Sequence, residues 1–181
     1  ISYWRSENDN GLFNAMNNGI ALAKGEYLLF LNSGDFLNER NVLSKVFKHN
    51  YKEDIVAGDC NVSIEGKTIF HVAPPDEISL STFFKKTIPH QATFIKAEIK
   101  KKKGYYSEKY SIHSDYEFFL RTLIIDNCSY RHINITISDY NLEGLSSRPE
   151  NANLSAKEYR EILEGIVPSR ILTDYNNWEL H

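Results

Sequence analysis

Residues 10–31, NGLFNAMNNGIALAKGEYLLFL, leave few folds open to this chain. Leu12, Phe13, Met16, Ile20 and Ala23 recur at helical spacing, which predicts an amphipathic helix over 10–24 with Asp9 as N-cap and Gly25 as its stop. Directly behind it, 27–31 is apolar without a polar alternation. Such a run reads as a strand covered on both faces, as in a parallel sheet. A helix that feeds a doubly covered strand belongs to an α/β domain with helices on both sides of its sheet.

The remaining pattern agrees. A helix is expected over 41–49 and strands over 55–64 and 67–72 joined by the EGK turn. Pro74 and Pro75 interrupt, a short helix follows over 79–86, and a strand is expected over 91–95. In 111–125, Phe118, Phe119, Thr122, Leu123 and Ile125 form the core face of a helix, and Ser114 with Glu117 has the spacing of a capping box. Residues 129–137 alternate as a strand does. A loop then leads to a terminal helix over 155–181, with Tyr159, Ile162, Leu163 and Ile166 on its apolar side. One domain spans 1–181.

At 181 residues the chain can bury one core. Its net charge of -3 and mixed signs fit a soluble globular protein and give no reason to expect nucleic acid as partner. Cys60 and Cys128 match no zinc, haem or redox spacing, so free thiols in a reducing cytoplasm are expected. No apolar run reaches the roughly 18 residues of a membrane span. Ile1 stands where a methionine or a basic, then apolar, leader would be, which leads us to expect a fragment or a processed chain.

The polar loop after Leu31, NSGD, stands where open α/β sheets collect ligands. Magnesium-like ions take oxygen ligands and often only one or two protein carboxylates, with phosphate and water completing the shell. Asp35 is the candidate metal ligand. Gly34 permits close backbone approach, and Asn32 or Ser33 is placed to orient the shell. Asn, Ser, Gly and Asp also make ordinary turns, so the loop by itself leaves both readings open.

The whole stretch SENDNGLFNAMNNGIALAKGEYLLFLNSGD resembles family 2 glycosyltransferases, sugar transferases of GT-A fold, through Ser6, Glu7, Asp9, Gly11, Ala15, Met16, Asn17, Gly19, Ile20, Gly25 and Asp35. HQATF, SDYEFFLR and EGLSS resemble later segments of the same family. The fold implied is a Rossmann-related mixed sheet flanked by helices. Where the family usually carries one aspartate this chain has Asn32 or Ser33, and where it carries a second this chain has Gly34. The family's opening strands, which hold the nucleoside, have no counterpart here.

The resemblance implies transfer of a sugar from a nucleoside diphosphate, UDP above all, to a saccharide or lipid-linked acceptor in surface polysaccharide synthesis, with inversion and with Mn or Mg at Asp35. Asp115 is the implied base, with Glu117 as runner-up. His90 and Gln91 line the sugar pocket, Glu7 and Asp9 touch the donor sugar, and Asn17 faces the diphosphate. Gly144 and Ser146 belong to a loop closing on the donor. Lys100, Lys101, Lys102 and Lys103 offer a basic surface for peripheral contact with the inner face of the membrane. Two other readings compete: a non-catalytic glycan- or partner-binding module, and a phosphoryl-transfer enzyme, which would lack a P-loop.

Overall fold

A computed structural model describes residues 3–142, 144 and 148–178. Its centre is one mixed sheet in which β3 (Ile55–Ile64) and β6 (Tyr130–Asn141) run parallel. On the other side of β3, β5 (Thr93–Lys96) pairs antiparallel with its first half and β4 (Lys67–Val72) with its second. The edges are β1 (Tyr27–Leu28), antiparallel to β5, and β2 (Phe36–Leu37), antiparallel to the end of β6. Residues 29–35 therefore cross from one edge strand to the other, and this crossing positions the site described below.

Period-two alternation sorts the side chains into two cores. Leu28, Ile55 and Ile95 join Phe13, Met16 and Ile20 of α1 (Leu12–Leu22), Phe83 of α3 (Leu80–Lys85), Phe118 and Phe119 of α5 (Ser114–Phe119) and Ile162 of α6 (Ala152–Ile166). Val56 and Phe94 face the other way, onto Val42 and Val46 of α2 (Val42–Val46). The chain ends in α7 (Ser169–Trp178), and the lysine-rich segment forms α4 (Ala97–Lys103). No helix among the described residues is long and apolar enough to cross a membrane. Both cysteines are free.

Several expectations need correction. The run is covered on both faces over 27–30, with Tyr27 and Leu29 turned to one core and Leu28 and Phe30 to the other, but Leu31 is exposed and the ladder is antiparallel and only two residues long. Gln91 lies in a 3-10 turn (His90–Ala92) ahead of β5 rather than in the strand. Asp9 is not the N-cap; Gly11 is, and the Asp9 carboxylate accepts the Gly11 N–H at 2.9 Å. No capping box forms between Ser114 and Glu117: His113 is the N-cap, its C=O accepts the Glu117 N–H at 2.9 Å, and the Glu117 side chain bonds Arg121. Ile125 is 52% exposed: the helix widens after Phe119, with Asp126 N–H bonding Arg121 C=O five residues back, and the extra residue rotates Ile125 outward. The terminal helix is two helices, since Pro168 lacks an N–H and holds Val167 extended.

One polar cluster ties β3, β4 and β6 together. His132 Nδ1 lies 2.7 Å from Asp76 and its Nε2 2.8 Å from Asp59, while His71 Nε2 stands 3.3 Å from the other Asp59 oxygen. Two carboxylate acceptors require both His132 nitrogens to donate, which makes the ring an imidazolium. Burial alone would lower its pKa, but the bonds to Asp59 and Asp76 outweigh burial and raise it. A raised folded pKa adds stability that is complete below the unfolded value near 6.5 and is lost as pH rises through the folded value. We expect His132→Asn to cost about 1 kcal/mol at pH 6 and less at pH 9, Asp76 being too exposed to add much. Urea unfolding at the two pH values measures this, and a gap that does not change with pH would contradict it.

Candidate active site

The crossing segment closes on itself at residues 32–35. Asp35 N–H bonds Asn32 C=O at 3.0 Å, and an Asp35 oxygen accepts the Asn32 N–H at 3.1 Å. Its second oxygen accepts the N–H of Asn141, at the end of β6, also at 3.1 Å. Gly34 takes φ +96, and a Cβ there would stand 3.2 Å from the Asn141 side-chain nitrogen, so the turn needs glycine on both counts. Ser33 and Gly34 are exposed at the tip.

From this turn a chain of polar contacts leads into the core. The Asn32 amide lies 3.1 Å from His90 Nε2, and His90 Nδ1 lies 2.9 Å from an Asp115 carboxylate oxygen. The His90 and Asp115 side chains are only 11% and 13% exposed. The carboxylate can only accept, so Nδ1 donates to it, while Nε2 faces the Asn32 amide. Gln91 is buried beside them. Four positions scattered between residues 32 and 115, Asn32, Asp35, His90 and Asp115, thus share one site.

The two carboxylates differ in environment. Burial raises the Asp35 pKa, more than the Asn141 and Asn32 N–H groups and the nearby His90 lower it. Burial also acts on Asp115, but there the hydrogen bond and charge of His90, with the Tyr116 N–H and His113, prevail and hold the carboxyl below the usual carboxylate range. Among the described residues no group of three or more His, Cys, Asp or Glu side chains is placed to hold a metal.

Other candidates lie elsewhere. Glu117 bonds Arg121 at 2.9 Å and turns its second oxygen into the interior. Asn17 is buried, and its amide bonds the backbone of Tyr106 through both N–H (2.9 Å) and C=O (2.9 Å), fixing the 105–108 loop on α1. Glu7, paired with Arg5, and Asp9 line an open cleft of about 980 Å³ between the 3–9 segment and α1, whose walls contain none of Asp35, His90 or Asp115. Gly144 forms a bend after β6, and Ser146 lies outside the described residues. Lys100 is fully buried and cannot touch lipid; Lys102 pairs with Glu98 and Lys103 with Asp126, which leaves Lys101 of that basic surface. Sequence reasoning missed Glu158. Its signal was present: Ser155, Glu158, Tyr159 and Ile162 share one helix face, so the acid falls among core positions.

This architecture is GT-A-like, the fold of a large class of nucleotide-sugar-dependent transferases. The Glycosyl transferase family 2 model matches residues 1–119, and the chain belongs to that family. It is 30% identical over 153 residues to an uncharacterized glycosyltransferase of Mycobacterium tuberculosis, an alignment covering 83% of this chain and 58% of that protein. A PGL/p-HBAD biosynthesis glycosyltransferase of the same organism is 30% identical over 145 residues, or 78% and 55%. The chain thus spans little more than half the length of these relatives. Among solved structures, S. aureus TarS 1–349 in complex with UDP superposes with TM-score 0.55 at 14% identity, over 87% of this chain and 46% of that one.

Proposed function

We propose that this chain, acting as one domain, carries the catalytic and acceptor-side part of an inverting, metal-assisted glycosyltransferase that moves a sugar from a UDP-sugar to an acceptor hydroxyl. The observation that carries the reading is the convergence of Asn32, Asp35, His90 and Asp115. The acceptor oxygen bonds the anomeric carbon, the bond from that carbon to the diphosphate breaks, and the hydroxyl proton passes to Asp115. His90 orients the carboxylate, Asn32 holds the His90 ring from its other side, and the buried setting keeps bulk water from competing for the sugar.

The chemistry of Asp35 fits a hard divalent ion such as Mn or Mg. Each of its oxygens accepts one backbone N–H and keeps a lone pair, and a half-buried carboxylate whose pKa burial has raised gains from a nearby cation. One protein carboxylate suffices where diphosphate oxygens and water complete the shell. When bound, the ion would offset the charge that gathers on the departing diphosphate. The UDP complex of the similar fold supports the donor class, and the relatives named for PGL/p-HBAD biosynthesis support a biosynthetic role, for which we propose a saccharide or lipid-linked acceptor at the cytoplasmic face of the membrane.

The loop's single aspartate also favours a second reading, a non-catalytic binding module. Thermal unfolding with Mn, alone and with UDP, tests the donor site, any natural flanking sequence being restored. At ten times Kd, UDP adds about 1.4 kcal/mol, or roughly 3–5 °C. We expect that rise in the wild type and its loss in Asp35→Asn. An equal rise in both would remove Asp35 from the site, and no rise with UDP would favour the binding module.

A further inference from the structure

We infer that Glu158 is a positioning residue for the base, and that α6, which lies beyond the matched residues 1–119, is part of the active-site machinery. The inference rests on the reading of Asp115 as base. The Glu158 side chain is 4% exposed, and its carboxylate accepts three consecutive backbone N–H groups: Ser111 at 2.7 Å, Ile112 at 2.9 Å and His113 at 3.0 Å. These are the residues that lead into α5, and Asp115 stands two positions further on, in its first turn.

The grip extends to both sides of Glu158 on the same helix face. Ser155 Oγ lies 2.8 Å from His113 Nε2, and Tyr159 O–H donates to Phe83 C=O at 2.7 Å, the same carbonyl that accepts Tyr116 O–H at 2.9 Å. On one side of Asp115, His113 is therefore bonded from α6, and on the other the Tyr116 ring packs on Tyr159 of α6 at 4.9 Å between centroids, while His90 holds the carboxylate from the far side. A base acts through its placement, and a displacement of about 1 Å costs up to 10²-fold in rate. Glu158 touches neither His90 nor the sugar site; it acts by fixing the backbone from which Asp115 projects.

Glu158→Gln removes the charge and one acceptor but keeps the side-chain length. Ile162→Val, on the same helix and in the main core, weakens the fold by packing alone and serves as the control. Two readouts are compared well below Tm: UDP release from a panel of UDP-hexoses, and the downfield NMR resonance of the His90 Nδ1–H, assigned by its loss in His90→Asn. We expect Glu158→Gln to lower kcat about tenfold with KM for the UDP-hexose within twofold, and to weaken or abolish the resonance, while Ile162→Val keeps both. A Glu158→Gln protein that retains kcat and resonance, or an Ile162→Val protein that loses them equally, overturns the inference. A wild type without turnover would defeat the proposed function, and the resonance would still decide whether Glu158 places the carboxylate.

Discussion

Asp115→Asn is expected to lower kcat for sugar transfer by about 10³-fold while leaving UDP affinity unchanged, the loss typical when a positioned general base is removed. The amide keeps the size of the side chain and a carbonyl for the His90 Nδ1–H, so the fold survives, but it cannot take the acceptor proton. Because His90 and its neighbours hold the Asp115 carboxyl below the usual range, the carboxylate stays ionised across pH 5–8. A weak, fully ionised base contributes through geometry, consistent with its two-sided anchoring. The pair's stability has the opposite sign from that of His132: a depressed folded pKa gives stability that is present above the unfolded value near 3.9 and lost as pH falls through the folded one. Glu117→Gln is the companion variant, expected within about threefold of wild type, since Glu117 is already bonded to Arg121. If Glu117→Gln is silent and Asp115→Asn dead, the base is Asp115. If the two exchange places, the base is Glu117, and if neither loses activity the reading of α5 as the base helix fails.

How much of this was legible in the sequence depended on the range of the interactions. The β3–β4 hairpin was readable to the residue, because a period-two run, a two-residue Glu65–Gly66 turn with positive φ and a second run are all local. Tyr159, Ile162, Leu163 and Ile166 could be assigned to a buried face because helical spacing is local too. Asp35, His90 and Asp115 were singled out separately, on a turn, a strand start and a helix start. That they touch depends on the crossing of 29–35 from β1 to β2, which no short pattern records. The errors share one cause. Asn17 looked like a polar residue open to a ligand and Lys100 like part of a basic surface, and in both a distant partner decided: the Tyr106 backbone and the aromatic core.

Lys100→Met is expected to stabilise the protein, by about 2 kcal/mol at pH 7 and roughly 4–8 °C in Tm. Lys100 is 0% exposed, and its Nζ has no hydrogen-bond partner among the described residues. It rests 2.9 Å from the ring centroid of Tyr106 and 3.4 Å from that of Phe118. Burial, assisted by the charge of Arg121 and opposed by Glu117 and Asp115, pushes its pKa well below the ordinary lysine value. The unfolded chain therefore holds a proton that the folded chain resists, and folding must either strip it or bury it. That cost is largest at neutral and acid pH, fades as pH climbs towards the unfolded value near 10.4, and vanishes above it, where both states are neutral. Methionine has nearly the same length and flexibility, packs well against aromatic rings and carries no proton, so it removes the cost without leaving a cavity. Guanidinium unfolding at pH 6, 8 and 10 should show Lys100→Met above wild type with a gap that closes as pH rises. A gap of the opposite sign would mean that the rings hold an ammonium ion by cation–π attraction strong enough to repay its desolvation.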